Sequence, residues 1–304
     1  MGDLELNILG NGSAVPTKFG NPSSQMLTYR GNQFLIDCGE GAQMQIIRYK
    51  VKYRRLNNIF ISHLHGDHFF GLFGLLSTFH LFGRENAIDI FAPAKLKPLL
   101  DHVFRTSDTV LRFPLNFLPL EDFSDTPLLD KESFTIRSFK LKHSVPTYGF
   151  VFREKPLQRK INKEFIKGRA IKTKHILEIK AGSDYVDDKG ILYKNGEISQ
   201  KPRNPLSYAY CSDTAYHEDI VEDIHGVKLL YHEATFDESM LEMADDKKHS
   251  TAAQAARIAK LANVEKLLLG HFSARFKEFD TLLQQARDVF PNTFISVEGK
   301  PYQI

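Results

Sequence analysis

The sequence predicts an α/β protein. Strand-like and helix-like stretches alternate along most of the 304 residues. The alternation is cleanest in the last third, where four short apolar runs are separated by helical stretches. A composition of 25% charged and 42% hydrophobic residues is that of an ordinary globular chain, which excludes disordered, collagen-like and coiled-coil classes.

The elements follow in order. Leu4, Leu6 and Ile8 alternate with polar neighbours, as a half-buried strand does. A Gly/Asn/Ser/Pro-rich loop runs from Gly10 to Ser24. Gln33 to Asp37 and Asn58 to Ser62 read as strands, with a helix from Ala42 to Tyr49 between them. Phe69, Phe70, Phe73 and Leu76 share helical spacing and read as a core face. Their run is far shorter than the ~20 apolar residues that span a bilayer. Ala94 to Arg105 reads as helix, and Phe134 to Leu141 and Tyr148 to Phe152 as extended. The last third carries strands at Ser207 to Cys211, Lys228 to His232, Lys266 to Leu269 and Thr293 to Val297. Its clearest helix, Ala252 to Ala262, opens with Thr251 and Gln254 in capping-box spacing.

Charge and cysteine content narrow the setting. Forty basic against thirty-seven acidic residues leave a net charge of +3, so any basic patch is local. Two cysteines, Cys38 and Cys211, build no disulfide framework, and a reducing cytoplasm is expected. The N-terminus lacks the charged start and apolar run of a signal peptide, so neither export nor a membrane anchor is expected. One segment breaks the rhythm: Arg153 to Lys180 holds ten basic and three acidic residues, a net of +7. Such a polar excursion between two core strands reads as an inserted arm.

The chemistry concentrates in His63-Leu64-His65-Gly66-Asp67-His68, directly after the strand ending at Ser62. Three imidazoles and a carboxylate at the C-terminal end of a strand suit borderline-soft divalent metals. Four ligands this closely packed crowd one tetrahedral ion, so His63 and His65 are expected on one metal and Asp67 and His68 on a neighbour. Further candidates stand at other strand ends: His143, Asp213 and His271. A carboxylate can bridge two cations, which suits Asp213. The seven together would close a two-metal site. Such a pair of metals activates a water and holds phosphate oxygens.

With these residues in view, the chain resembles the metallo-β-lactamase superfamily and, within it, the tRNase Z family. The likeness runs over nearly the whole length, through the metal motif and through Ser212-Asp213-Thr214, His232-Glu233-Ala234-Thr235, His249-Ser250-Thr251 and Gly270-His271-Phe272-Ser273-Ala274-Arg275. The resemblance implies a four-layer αβ/βα sandwich in a single domain spanning residues 1–304, with a flexible tRNA-binding arm inserted at about 153–201. It implies two Zn2+ per chain, with Mn2+ as a substitute, a homodimer, and removal of the 3′ trailer from precursor tRNA. The products would be a tRNA 3′-hydroxyl and a trailer 5′-phosphate. Asp67 would then position the attacking water, and His249, oriented by Glu233, would protonate the leaving oxygen. Substrate contacts are implied for Lys18 and Arg275 on the body, and for Arg159, Lys160, Lys163, Lys167 and Arg169 on the arm. The loop Pro16-Thr17-Lys18-Phe19-Gly20-Asn21 resembles a family string, with Gly20 in place of its arginine.

Competing readings are weaker. Gly10-Asn11-Gly12-Ser13-Ala14-Val15 is no dinucleotide fingerprint, because Val15 stands where the third glycine belongs. Cys211 reads as a buried thiol, and His80, His102, His175, His217 and His225 lack partner spacing. A different two-zinc hydrolase of the superfamily, cutting a small phosphodiester, thioester or lactone, is the alternative function. The basic arm and the His249 and Glu233 strings set the first reading apart.

Overall fold

The computed structural model of the chain describes residues 3–18 and 20–304; Met1, Gly2 and Phe19 of the 16–21 loop lie outside the described residues. Leu4, Leu6 and Ile8 form the inward row of strand β1 (Leu4–Gly10). It is followed by β2 (Ser24–Tyr29), β3 (Asn32–Cys38), β4 (Leu56–Phe60), β5 (Ile88–Ala92) and β6 (Leu115–Pro119). The second half of the body holds β7 (Leu129–Asp130), β8 (Phe134–Leu141) and β9 (Thr147–Glu154). Between β9 and the later strands lie four two-residue strands, β10 (Lys160–Ile161), β11 (Tyr185–Val186), β12 (Leu192–Tyr193) and β13 (Ser199–Gln200). Then come β14 (Ser207–Cys211), β15 (Leu229–Glu233), β16 (Lys266–Gly270), β17 (Thr293–Ile295) and β18 (Pro301–Gln303).

Among the described residues the body contains two seven-stranded sheets, ordered β18-β1-β2-β3-β4-β5-β6 and β17-β16-β15-β14-β9-β8-β7. Period-two alternation decides how they stack. Phe34, Ile36 and Phe60 of one sheet meet Phe134, Phe150, Phe152, Tyr208 and Tyr210 of the other in one buried cluster. The opposite faces carry helices. Leu35 and Ile59 pack with Ile46 of α1 (Ala42–Arg48), with Leu72, Leu75 and Leu76, and with Leu96 and Leu100. Ala209, Cys211 and Leu267 pack with Ala255, Ala259, Leu282 and Ala286. Helix, sheet, sheet, helix is the resulting order of layers, the four-layer sandwich.

The strand ends place the chemistry. In each sheet four neighbouring strands run parallel, β3-β4-β5-β6 and β14-β15-β16-β17. Residues just past their C-terminal ends gather at one rim, where open α/β sheets bind ligands. Helix α2 (Gly66–Phe69) is a single turn, and α3 (Gly71–Leu81) begins directly after it. The Gly71 position admits no side chain, since a Cβ there would lie 2.1 Å from the Gly39 carbonyl oxygen. That close approach seats the histidine loop against the end of β3.

Phe70 corrects the sequence reading. It joins α2 to α3 and is 58% exposed, whereas Phe69 and Leu76 are buried. The helical period restarts at that junction, so the spacing that aligned Phe70 with a core face does not run through it. Among the described residues the α-helices continue with α4 (Leu96–Thr106), then α5 (Lys163–Ile166), α6 (Thr173–Ala181) and α7 (Asn195–Ile198) between β9 and β14. After β15 come α8 (Leu241–Lys247), α9 (Ala252–Leu261) and α10 (Asp280–Val289). The capping box of Thr251 and Gln254 is present at the head of α9.

Glu154–Pro205 forms a compact unit of its own. Ile161, Phe165, Ile179, Tyr185 and Ile198 make its small core. The Arg169 guanidinium lies over the Phe165 and Tyr193 rings and donates to the Phe165 carbonyl.

Candidate metal centre and active site

The motif residues converge as two adjoining groups, His63, His65, His143 and Asp213 in one and Asp67, His68 and His271 in the other, and a third grouping of Asp213, His271 and His249 overlaps them. His65 Nδ1 lies 3.1 Å from His63 Nε2 and 3.2 Å from His143 Nε2. Asp213 Oδ2 is 3.7 Å from both of those Nε2 atoms. Its other oxygen, Oδ1, is 3.2 Å from His68 Nε2 and 3.2 Å from His271 Nε2. Asp67 Oδ2 closes the second group at 3.5 Å from His68 Nε2 and 3.8 Å from His271 Nε2. Ligands at 2.0–2.1 Å around a tetrahedral ion stand ~3.3 Å apart, so these separations suit a cation at each centre.

Polar bookkeeping supports the same fit. His68 Nε2 and His271 Nε2 are buried without a hydrogen-bond partner. An orphaned buried nitrogen costs free energy, and a metal ion would offset that cost. Each imidazole is also turned by a bond on its other nitrogen. His68 Nδ1 donates to Asp37 at 2.7 Å, and His143 Nδ1 to the Lys248 carbonyl at 2.9 Å. His271 Nδ1 donates to Thr235 Oγ1 at 2.9 Å, and His63 Nδ1 to Ser62 Oγ at 3.0 Å. This leaves four Nε2 lone pairs facing inward, the arrangement that metal-binding histidines adopt.

Electrostatics keep the carboxylates charged. Burial pushes the Asp213 carboxyl up, but the imidazoles around it, His271 and His68 foremost, outweigh burial and hold it well below the ordinary range. Burial likewise opposes ionisation of Asp67, but the imidazoles of His271 and His68 beside it outweigh burial and hold its carboxyl well below the ordinary range. The Ala14 amide adds a 2.8 Å bond to Asp67. Burial drives His63 well below its usual value and keeps it neutral.

Against the metal groups stands a further pair, its imidazole 5.0 Å from the His143 ring and 5.4 Å from the His271 ring. His249 Nδ1 lies 2.8 Å from Glu233 Oε1, and Glu233 is fully buried at the end of β15. The Thr214 amide, at 2.7 Å, and the Thr235 hydroxyl, at 2.6 Å, fix the carboxylate. Burial disfavours charge on His249, but the Glu233 carboxylate prevails and raises it to about 9. His249 therefore sits protonated at neutral pH, facing a cavity of about 720 Å3. Ala14, Val15, Phe236, Met243, Lys247 and Arg275 line that cavity together with His65, Asp67 and Asp213.

The other sequence candidates lie elsewhere. Lys18 is exposed on the 16–21 loop. Lys160, Lys163 and Lys167 are exposed in the second compact unit. Arg159 and Arg169 belong to that unit's internal bonding, Arg159 through Ser199 Oγ at 2.8 Å. Cys211 is buried, as expected, and its thiol is pushed up by burial. His217 is buried 7% exposed rather than ordinary surface, but it takes no part in the site.

Asp37 escaped the sequence reading. Fully buried at the end of β3, it accepts from the Ser62 amide at 2.7 Å, the Ser62 hydroxyl at 2.8 Å and the Tyr210 hydroxyl at 2.7 Å, besides His68. Its φ of 56° turns the chain out of the strand in a conformation rare for residues other than glycine. A lone Asp closing an apolar run was the available signal.

Residues 4–184 match the family profile described as Anti-Pycsar protein Apyc1. Over 299 residues the chain is 43% identical to "Ribonuclease Z" of Bacteroides fragilis, covering 98% of each. It is 41% identical over 303 residues to "Ribonuclease Z" of Cytophaga hutchinsonii, covering 99% of this chain and 96% of the relative. Human tRNase Z, short form, superposes with a TM-score of 0.72 at 26% identity, covering 99% of each chain. The metallo-β-lactamase-fold protein YhfI of Bacillus subtilis superposes at 0.70 with 19% identity, covering 98% of each, a likeness of fold.

Proposed function

The chain belongs to the ribonuclease Z family, and through residues 4–184 to the Anti-Pycsar protein Apyc1 family, and we propose that it removes the 3′ trailer from precursor tRNA. The single observation that carries this reading is the 43% identity spanning 98% of both chains, because that length extends over the stretch that holds Asp213, Glu233, His249 and His271. The Apyc1 match ends before all four. The enzyme is a metal-dependent endoribonuclease; two Zn2+ would be held by the seven residues of the two groups, Asp213 offering one oxygen toward each. Mn2+ suits the same mixed nitrogen and oxygen donors. Bound there, the two cations supply an activated water and Lewis-acid stabilisation of the phosphate oxygens.

The chain's own residues do the rest. Asp67, held ionised by His68 and His271, accepts a hydrogen bond from the attacking water and aligns it. His249 gives its proton to the departing 3′-oxygen of the tRNA, and Glu233 keeps the ring oriented and charged. The bond broken is that between phosphorus and this oxygen, so the tRNA keeps a 3′-hydroxyl and the trailer carries the 5′-phosphate. A small-phosphodiester, thioester or lactone hydrolase remains the competing assignment. It has no use for a protonated donor aimed at a poor leaving group together with an exposed row of arm cations.

Lys160, Lys163 and Lys167 are among the arm residues that present charge to solvent, as Lys172 and Lys174 also do, and these three are assigned to phosphate contacts there. On the body, Lys18 and Arg275 take that role. Incubation with precursor tRNA followed by end mapping tests the assignment, the expected products being the two ends just named. Changing the three arm lysines to Gln should raise KM for precursor tRNA and flatten its salt dependence by a slope of ~3. Hydrolysis of a nitrophenyl phosphodiester should not change. No cleavage of precursor tRNA by the wild type would refute the function, and an unchanged KM would refute the arm contacts.

A homodimer is supported by an uncovered apolar face. Met44 and Ile47 on α1 are 59% and 64% exposed, and α1 docks on α3 through Gln43 and Thr78. Burial of such a face is worth ~25 cal/mol per Å2. Ile47→Asp should convert the dimer to monomer on sizing, and a wild type that is already monomeric would overturn this. No helix among the described residues is long and apolar enough to cross a membrane. Both thiols are free and buried, in keeping with work in the cytoplasm.

A further inference from the structure

Residues 48–55 read Arg-Tyr-Lys-Val-Lys-Tyr-Arg-Arg, five cations with no acid among them. Their burial alternates. Tyr49, Val51 and Tyr53 pack against the core beneath α1 and α3, while Arg48, Lys50, Lys52, Arg54 and Arg55 are exposed. Gln33 pins the segment by accepting from the Arg55 amide at 2.8 Å and donating to the Lys52 carbonyl. A loop held in shape by its inward residues thus presents a row of positive charge. No ion pair neutralises these five among the described residues, although the chain as a whole carries only +3.

The row ends at a second cavity of about 730 Å3, whose lining includes Tyr53, Arg54, Phe79, Phe82 and Arg84 together with one acid, Glu85. The Tyr53 and Phe79 rings are stacked, with centroids 5.8 Å apart and planes at 18°. Phe82 is 74% exposed at its edge. The row begins beside the active-site loop. Tyr49 donates to Glu298 at 3.1 Å, and the Asn21 amide donates to the same carboxylate at 2.7 Å. Gln45 adds a 2.9 Å bond to the Asn21 side chain. The same loop supplies Ala14 and Val15 to the active-site cavity.

We propose that Arg48, Lys50, Lys52 and Arg54, with Phe82 and Tyr53 at the far end, form a track for single-stranded RNA that carries the 3′ trailer of the precursor away from the active site. The inference rests on the tRNA-processing reading and adds a binding site to it. Cations track the phosphates of a flexible strand, and exposed rings stack its bases without regard to sequence. A duplex keeps its bases paired and stacked inside, so exposed Phe82 would find no base on it. The trailer is the single-stranded part of the substrate that leaves the scissile phosphate.

The test compares one tRNA body carrying a trailer of about 4 nucleotides with the same body carrying about 16. For the long trailer, R48Q/K50Q/K52Q/R54Q should raise KM by at least ~10-fold and lower the salt slope by ~3, at ~0.7 per phosphate contact. Phe82→Ala should raise it roughly tenfold. For the short trailer neither variant should differ from wild type. A charge-matched variant, K95Q/K131Q/K140Q/K260Q, should behave as wild type with both. Binding of a free single strand of about 16 nucleotides, measured without cleavage, should weaken in the same two variants. Equal losses on both precursors would place the row against the tRNA body and overturn the track. No loss on either, with unchanged single-strand binding, would make it a solvated face and overturn it too. Should the wild type cut neither precursor, the processing reading fails instead, and single-strand binding still tests the track.

Discussion

Replacing Asp213 by alanine is expected to abolish cleavage of precursor tRNA and to lower bound zinc from about two ions per chain to less than one. The reason is geometric. Its two oxygens face different groups, Oδ2 toward His63 and His143 and Oδ1 toward His68 and His271. Loss of the side chain removes one donor from each centre at once. It also leaves several buried imidazoles around a space without a counter-charge. Asp67→Ala touches the second group alone, so it should keep more metal than Asp213→Ala while losing turnover. Elemental analysis beside the cleavage assay reads both quantities. An active wild type holding one zinc per chain would refute the two-metal assignment, and an Asp213→Ala protein with two zincs would refute the shared carboxylate.

How much of this was legible from residues alone depended on where the signal resided. The metal-binding string is local, six residues on one loop, and its ligand types announce themselves. His143, Asp213 and His271 could be nominated because strands are legible by alternation and each of them follows a strand. Their convergence is a matter of sheet order, which alternation does not encode. Asp37 shows the limit. Its partners Ser62, His68 and Tyr210 are scattered along the chain, so the carboxylate that orients His68 looks from sequence like any polar strand end. Strand β2 was missed for a related reason. Its Gln25 is 1% exposed and takes a hydrogen bond from the Tyr208 hydroxyl across the core. A buried amide breaks the polar-out rule that the reading relied on. Strands β5 and β6 were passed over although they match β4 and β14 in length, five residues each. Phe70 failed for the opposite reason, because a period was visible across a break between two helices.

His249→Ala should lower kcat on precursor tRNA by ~10²–10⁴ while zinc content stays at the wild-type level. His249 lies close to Asp213 and His271, but its hydrogen bond goes to Glu233. The seven residues of the two groups stay in place without it, so its loss should not empty the centres. A nitrophenyl phosphodiester has a leaving group that needs no proton, and its turnover should fall by less than tenfold in the same variant. The pH profile separates the donor role from a structural one. Burial opposes the charged ring, but Glu233 raises it to about 9, so the proton is present at low and neutral pH and is lost as pH rises through that value. An acid must hold its proton, which puts a descending limb on kcat for precursor tRNA at the alkaline side. Bound divalent cations in the same cavity repel the imidazolium and move that limb below 9. Glu233→Gln removes the stabilising charge and should shift the limb further toward neutrality. His249→Ala should show no such limb, and the nitrophenyl substrate should lack it even with wild-type enzyme. Equal losses on the two substrates, with the limb retained in the variant, would assign His249 to the fold of the cavity instead of to proton transfer.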